Sequence, residues 1–279
     1  ELMAAVNKGL GNDVIKFYAG ISYRHLMIWK GGINKQAVLT PPHDISGQKL
    51  ADYLPGGADG GVLLDMMKKS ETILREHPVN QARQAKGLNP ATSIWFWGEG
   101  SRPALDSFAA KYALNGSVVC AVDLVRGLGI CAGLTPVSVD GATGAIKTNF
   151  AGKARAALNE LKNGRDFVYL HIESPDEAGH QGEVETKVWA IEKIDHDVLG
   201  LVLSELDSFD ELRILLLPDH PTPIALRTHS SDPVPFLLFD KNRPVRSNLS
   251  FDEDEALQGM HIDEGYKLMD LFIKGSQTN

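Results

Sequence analysis

Two short apolar runs constrain the fold of this chain most, because each is ended by a proline and then followed by carboxylate and imidazole side chains. The first run, residues 166–172, is rich in β-branched and aromatic side chains and predicts a buried strand. Pro175 ends the strand, and Asp176 and His180 follow in the segment PDEAGH. If Asp176 opens a helix, the i, i+4 spacing places its carboxylate and the His180 imidazole on one face.

The second run repeats this design. Residues 212–217 (LRILLL) predict another buried strand, and Pro218 ends it just before Asp219 and His220. His229 follows nine residues later, in the segment RTHSSDPVP. We therefore expect three imidazoles and two carboxylates to gather at the carboxyl ends of two strands, where ligand sites form in open parallel α/β sheets.

Such a set of side chains is suited to divalent metal ions. Mixed oxygen and nitrogen ligands favour Mn²⁺ or Zn²⁺, whereas Mg²⁺ prefers oxygen alone. Each residue taken singly has an ordinary structural explanation, as a helix cap, a surface histidine or a turn residue. Their combination after two successive strands predicts a metal site.

The segments PDEAGH, LLLPDHPTP and THSSDPVPF resemble the metal-binding segments of the cofactor-independent phosphoglycerate mutases, in the archaeal-type branch of the alkaline phosphatase superfamily. The resemblance extends in the same order through KFYAGISYRHLMIWKGG, TPPHDISG, HPVN, NPATSIWFWGEG, AVDLVRGLGICAGL and GATG, and so covers nearly the whole chain. It implies a metal-dependent isomerase that interconverts 3-phosphoglycerate and 2-phosphoglycerate through a phosphoserine.

The periodicity of apolar residues predicts alternating strands and helices from about residue 104 onward, which indicates an α/β core with a mostly parallel sheet flanked by helices. Residues 1 to about 100 predict a smaller, mixed α+β lobe. By resemblance, residues 104–279 form the metal-binding, alkaline-phosphatase-like core, and residues 1–103 form a substrate-binding lobe inserted within it.

The composition of the chain limits the classes of molecule that it can be expected to bind. A chain of 279 residues with 43% hydrophobic content can bury a large core. Its net charge of −8 argues against nucleic acid or an anionic membrane as a main partner, so an anionic small molecule must be held by local positive charge. Cys120 and Cys131 lie in apolar surroundings without metal-type spacing, which is typical of reduced thiols and predicts a cytoplasmic protein.

The chain begins with ELMAAV, without an initiator methionine and within an amphipathic helical pattern, so we expect it to be part of a longer protein. The resemblance implies an amino-terminal segment that carries a metal-binding Asp and the nucleophilic Ser. The Asp-Gly pairs that begin at Asp59 and Asp140 lie in Gly-rich turns and lack the preceding strand that such an Asp requires.

Arg24 and His25 are candidate substrate ligands. The alternation over residues 12–32 predicts two strands, with both residues in the second. On chemistry alone they could equally be a salt-bridge former and a half-buried histidine, or a phosphate site in which Arg binds in bidentate fashion. The resemblance implies substrate binding.

His43 and Asp44 lie in the Pro-rich segment TPPHDISG, which predicts a rigid, exposed loop. They are compatible with an ordinary Asx-capped turn, and also with a general acid/base pair in which the carboxylate orients the imidazole. The resemblance implies that both residues face the bound sugar acid and act in catalysis.

Two further arginines are candidates for binding substrate charge. Residues 93–98 predict a core strand, and Arg102 follows in the loop GEGSRP, where the resemblance implies a substrate-binding arginine. Arg126 follows a strand predicted over residues 117–122, at the place where the resemblance implies a basic residue facing the transferred phosphoryl group. An i, i+3 pair with Asp123 on a helix explains Arg126 equally well.

The resemblance also implies a division of labour between two divalent ions, Mn²⁺ foremost with Zn²⁺ and Mg²⁺ as alternatives. Asp176, His180 and His229 would hold one ion, and Asp219 and His220 the other, together with the missing Asp and Ser. Two other hypotheses stay open: a related phosphatase or phosphotransferase, including a homoserine-kinase-like activity, and a fragment without catalysis of its own. Association into a homo-oligomer also stays open.

Overall fold

The computed structural model of the chain describes residues 1–32, 37–45 and 47–275. These residues form two compact units that divide between Pro103 and Ala104. No helix within the described ranges combines the length and the apolar character needed to cross a membrane.

The first unit packs helices against a β-hairpin. Val6, Ile15, Phe17 and Leu74 form its buried cluster, since alternate residues of the first hairpin strand face inward. The helices and strands of this unit are α1 Leu2–Leu10, β1 Ile15–Tyr18, β2 Leu26–Trp29, β3 Ala37–Val38, β4 Gly56–Gly57, α2 Gly60–Arg75 and α3 Pro78–Ala85. Strands β1 and β2 are antiparallel, as are β3 and β4. The unit is therefore a mixed α+β arrangement.

The predicted hairpin over residues 12–32 is confirmed, but the placement of Arg24 and His25 within its second strand is wrong. Both residues precede β2 and lie in the connection between the strands. Ser22 adopts a left-handed conformation with φ of 56°, which turns the chain before the ladder can begin. These two candidate substrate ligands therefore lie in an irregular segment of the connection.

The strand predicted over residues 93–98 is also wrong, because this segment has no strand partner among the described residues. Its apolar side chains do reach the core, where Ile94 and Phe96 pack against the buried cluster of the first unit. The Ile94 N–H donates to the Ser70 hydroxyl at 3.0 Å, and the Trp95 indole donates to the Thr40 carbonyl at 2.8 Å. These hydrogen bonds to a side chain and to a loop carbonyl take the place of the backbone hydrogen bonds that a neighbouring strand would provide.

The second unit is an α/β layer, which confirms the predicted fold class. Strands β5, β6 and β7 form a parallel sheet in the order β6-β5-β7, while β8 and β9 form a separate antiparallel pair. Its elements are α4 Phe108–Tyr112, β5 Gly116–Val119, α5 Asp123–Cys131, β6 Thr135–Val137, α6 Phe150–Lys162, β7 Phe167–Leu170, α7 Ser174–Gln181, α8 Val184–Ile194, α9 Gly200–Ser204, β8 Arg213–Leu216, β9 Leu237–Asp240, α10 Glu253–Ala256 and α11 Leu268–Lys274. A π-helical turn, Asp195–Leu199, joins α8 to α9.

The central strand β5 is buried along its whole length. Val118, Cys120, Leu134, Phe108 and Phe167 pack together around it. A side chain at position 129 of α5 would lie 2.6 Å from the Val118 side chain, so glycine there permits the close packing of α5 on β5. The second unit thus has its own apolar core, which includes Phe167 at the start of β7.

Candidate metal centre

The first pair of predicted ligands is built by the turn that follows β7. Helix α7 has a proline and two acidic residues in its first turn, a composition that suits a helix N-terminus. The buried Ser174 hydroxyl donates to the Ile146 carbonyl at 2.6 Å and anchors this end of the helix. One turn of helix then brings Asp176 Oδ2 to 3.4 Å from His180 Nε2, as the i, i+4 spacing predicts.

The second group comes from the loop after β8. His229 Nε2 lies 3.1 Å from His180 Nε2 and 3.4 Å from Asp176 Oδ1. The His220 ring lies against the His229 ring with centroids 3.8 Å apart, and His220 Nε2 is 3.5 Å from Asp219 Oδ2. All five predicted metal ligands therefore belong to one cluster of side chains.

The spacing of three of these residues fits a metal ion. The contacts among Asp176, His180 and His229 measure 3.1, 3.4 and 3.4 Å. Two ligands bonded at roughly 2.0–2.1 Å in tetrahedral geometry lie about 3.3 Å apart. Each of the three contacts is close to this spacing, with Asp176 Oδ2 facing His180 and Asp176 Oδ1 facing His229. His180 Nδ1 lies 2.9 Å from the Arg227 carbonyl, and a hydrogen bond donated there leaves the Nε2 lone pair for the ion.

His220 lies near Asp176 and His229 as well as near its neighbour Asp219. Among the residues that the structure describes, Asp176, His220 and His229 each offer a ligand atom, and these atoms all lie within 4.8 Å of one another. Asp219 is the most exposed of the predicted ligands, while its Oδ1 accepts the His220 backbone N–H at 3.1 Å. The division of these five residues between two ions stays a prediction.

The predicted substrate residues of the first unit lie on turns and loops. The Arg24 guanidinium lies 4.6 Å from the centre of the Tyr23 ring. His25 Nδ1 accepts the Gly20 N–H at 3.2 Å, and partial desolvation lowers the pKa of this imidazole. Asp44 lies in the 3₁₀ turn Pro42–Ile45. The side chain of His43 lies outside the described part of the chain, so the acid/base pair stays a prediction.

The two remaining arginines lie in different settings. Arg102 is exposed in the irregular segment before α4. Arg126 lies on α5, three residues after Asp123, and its Nη1 donates to the Ser138 hydroxyl at 3.4 Å. The phosphoryl-binding role of Arg126 and the Asp123 pair both stay predictions.

A buried network that sequence reasoning missed lies under the loop between β7 and α7. Lys153 on α6 is only 1% exposed, and its ammonium donates to the His171 carbonyl at 3.1 Å. His171 Nε2 in turn lies 3.3 Å from Glu173 Oε2. Burial lowers the pKa of both Lys153 and His171. Lys153 could have been suspected from its place among the apolar residues of α6, at the spacing of a buried helix face.

The burial of Lys153 makes the folding stability of the chain depend on pH. The folded-state pKa lies below the ordinary 10.5, so between these two values the unfolded chain binds more protons and stability rises with pH. As the pH rises through this window, we expect the free energy of unfolding of the wild type to increase relative to that of Lys153→Met. Denaturant unfolding of both proteins, followed by circular dichroism, measures this difference.

Lys162→Met, on the exposed end of the same helix, provides the baseline for losing a surface lysine charge. Parallel stability profiles for the wild type and Lys153→Met through the alkaline range would contradict the prediction.

Comparison with known families and proteins gives a consistent result. Residues 40–264 match the model of the Metalloenzyme superfamily. The chain is 45% identical to a probable 2,3-bisphosphoglycerate-independent phosphoglycerate mutase of Geobacter sulfurreducens, over 98% of this chain and 68% of that protein. It is 49% identical to the mutase of the same name from Methanothrix thermoacetophila, over 93% of this chain and 66% of that protein. The chain thus spans about two thirds of the length of these relatives.

Solved structures extend the comparison to the fold. A protein from Pyrococcus horikoshii matches 100% of this chain and 69% of its own, with a TM-score of 0.71 and 26% identity. A cofactor-independent phosphoglycerate mutase from Thermoplasma acidophilum matches 98% of this chain and 68% of its own, with a TM-score of 0.56 and 21% identity, which shows the fold alone. The metalloenzyme match and the Asp–His cluster together imply a divalent metal at this centre.

Proposed function

Because the chain belongs to the family of 2,3-bisphosphoglycerate-independent phosphoglycerate mutases, we propose that it forms the metal-binding core and the substrate lobe of an enzyme that interconverts 3-phosphoglycerate and 2-phosphoglycerate. The observation that carries this proposal is the contact of Asp176, His180 and His229 at metal-coordination spacing. The nucleophilic Ser, which becomes a phosphoserine during the reaction, lies outside residues 1–279 in this proposal.

The proposed centre holds two divalent ions, with Mn²⁺ as the first choice because the ligands are mixed oxygen and nitrogen donors. Asp176, His180 and His229 hold one ion, and Asp219 and His220 contribute to the other. When bound, the ions supply Lewis-acid stabilisation of the charge on the transferred phosphoryl group. The imidazole ligands bind an ion through the Nε2 lone pair, and a hydrogen bond from His180 Nδ1 to the Arg227 carbonyl orients the ring so that Nε2 faces the centre.

The other residues of the chain handle the substrate. Arg24, Arg102 and Arg126 balance the charge of the phosphate and carboxylate groups, since guanidinium binds both groups in bidentate fashion. His25 contributes to substrate binding. His43 moves the proton between the two glycerate hydroxyls, and Asp44 orients its imidazole. The glycerate stays bound while the phosphate returns to its other hydroxyl. The cytoplasmic location and a homo-oligomeric state stay predictions.

The test is an enolase-coupled assay of 3-phosphoglycerate conversion with Mn²⁺ and without added bisphosphoglycerate. It compares residues 1–279 with a hybrid in which the amino-terminal segment of the Geobacter relative precedes Glu1. We expect activity from the hybrid only, and its loss in a hybrid with Asp219→Asn. His196→Ala, an exposed histidine that contacts Asp197, serves as the control and should retain activity.

The second hypothesis makes a different prediction in the same assay. A phosphatase or phosphotransferase keeps the metal ions but does not need a proton shuttle between two hydroxyls. A hybrid that releases phosphate from several esters, never isomerises phosphoglycerate and is unaffected by His43→Ala would contradict the mutase proposal in favour of that activity.

A further inference from the structure

Thr222, which sequence reasoning did not single out, lies between the two groups of metal ligands. It follows His220 by two residues and is only 4% exposed. Its hydroxyl donates to Asp176 Oδ1 at 2.5 Å and lies 3.4 Å from His220 Nδ1. One buried hydroxyl therefore contacts a ligand from the α7 helix and a ligand from the loop after β8.

We propose that Thr222 is a positioning residue that holds Asp176 and His220 in their metal-binding orientations. This inference rests on the proposed metal-binding function of the centre. A hydroxyl has one hydrogen to donate and lone pairs to accept, so it can serve both ligands at once. Its hydrogen goes to Asp176, which leaves a lone pair for an N–H at His220 Nδ1.

The two hydrogen bonds have different consequences for the ligands. At Asp176 the hydroxyl selects the rotation of the carboxylate, whose other oxygen then faces His180 at 3.4 Å. At His220 a hydrogen on Nδ1 leaves the lone pair on Nε2, which is the atom that faces Asp219 at 3.5 Å. Partners of this kind, which orient ligands without touching the ion, raise metal affinity by about 10–100-fold.

The backbone around Thr222 is itself held in place. The Lys187 ammonium donates to the Thr222 carbonyl at 2.6 Å, and burial lowers the pKa of Lys187 while the nearby Asp176 charge opposes that shift. Gly179, on α7, packs directly against Thr222. A Cβ at that position would be 2.6 Å from the Thr222 carbonyl oxygen and 2.9 Å from its methyl group. Glycine on α7 thus permits the close approach that brings the hydroxyl to Asp176.

The test uses two variants that separate the hydroxyl from the shape of the side chain. Thr222→Val keeps the branched shape and the backbone carbonyl but removes the hydroxyl, and Thr222→Ser keeps the hydroxyl. Mn²⁺ affinity of the purified chain is measured by titration calorimetry and electron paramagnetic resonance. We expect a loss of about 10–100-fold for Thr222→Val, with most of the wild-type affinity restored in Thr222→Ser.

A spectroscopic measurement distinguishes positioning from a general loss of structure. The visible absorption of bound Co²⁺ depends on ligand geometry, so we expect it to change in Thr222→Val and to be retained in Thr222→Ser. Thermal unfolding in chelator verifies that each variant is folded before metal is added. If Thr222→Val does not fold, Thr222→Ala lacks the same hydroxyl without adding an apolar group beside Asp176 and carries the same expectation.

The outcomes separate this inference from the proposed function. A wild-type chain that binds neither Mn²⁺ nor Co²⁺ would overturn the proposed metal centre itself. A wild-type chain that binds metal, with equal affinity and an unchanged Co²⁺ spectrum in Thr222→Val, would overturn the role of Thr222 alone. Equal losses in the Val and Ser variants would also overturn it, because they would show a packing effect and not a hydroxyl effect.

Discussion

Replacing Asp176 by Asn is expected to weaken Mn²⁺ binding to the chain by more than about 100-fold. The Asp176 carboxylate contacts both partner ligands, with Oδ2 at 3.4 Å from His180 and Oδ1 at 3.4 Å from His229. Asparagine removes the negative charge and turns one oxygen into an N–H donor, which cannot bind a cation. Since outer residues that only orient ligands contribute about 10–100-fold, loss of a direct ligand should exceed that range.

The chain offers a closely matched control for this change. Asp197→Asn removes another carboxylate whose side chain is 25% exposed, as that of Asp176 is, and which also contacts a histidine, His196, at 2.6 Å. We expect Asp197→Asn to bind Mn²⁺ as the wild type does in titration calorimetry. A similar loss of affinity in both variants would indicate a general electrostatic effect and would contradict the assignment of Asp176 as a ligand.

Replacing Phe167 by Ala is expected to reduce the free energy of unfolding by about 3–5 kcal/mol. Phe167 begins β7 and is 8% exposed. Its ring stacks on Phe108 with centroids 4.4 Å apart and meets the edge of Phe272 at 6.4 Å. The large effect is expected because the change removes apolar area and leaves a cavity that the parallel sheet above it cannot collapse to fill.

The measurement is denaturant unfolding followed by circular dichroism, with chelator present so that metal binding does not contribute. Phe251→Ala is the matched control, because that phenylalanine is 46% exposed and its removal leaves no buried cavity. We expect it to change stability far less. A loss below about 1 kcal/mol for Phe167→Ala would show that β7 does not depend on this aromatic cluster.

Phe167 and Asp176 lie at opposite ends of one segment of the chain, which runs from β7 to α7. Strand β7 is stabilised by its apolar side chains, and the chain leaves its carboxyl end to form the loop over Lys153 and then helix α7. The position of Asp176 therefore depends on strand β7, which Phe167 holds in place through its packing. We expect Phe167→Ala to weaken metal binding less than Asp176→Asn does in protein that is still folded, since its effect on the ligands is indirect.

Features that depend on neighbouring residues could be predicted from the sequence. Apolar runs ended by prolines predict the strands β7 and β8, and helical periodicity predicts the contact of Asp176 with His180. The strand positions and the i, i+4 contact are predicted correctly because they depend on a few consecutive residues. The hairpin of residues 12–32 was expected for the same reason. The predicted burial of β8 is wrong, since none of its four residues is fully buried.

The errors arose where a distant segment decides the conformation. Residues 93–98 have the composition of a core strand, yet their backbone hydrogen bonds include one to the Ser70 hydroxyl. Arg24 and His25 precede β2 because the chain turns at Ser22. The sequence predicts β8 as one strand of a mostly parallel sheet, but its described partner is the antiparallel β9. Composition cannot reveal which partner an apolar segment finds.

The side chains available for metal chemistry, and the helical spacing that pairs Asp176 with His180, can be read from the amino-acid sequence. Folding brings His229 to 3.1 Å from His180, buries Lys153 under the loop from β7, and places the Thr222 hydroxyl against both Asp176 and His220. The difference arises because ligand identity and helical spacing are local properties of the chain. Contacts between different strands, helices and loops depend on how these elements pack together.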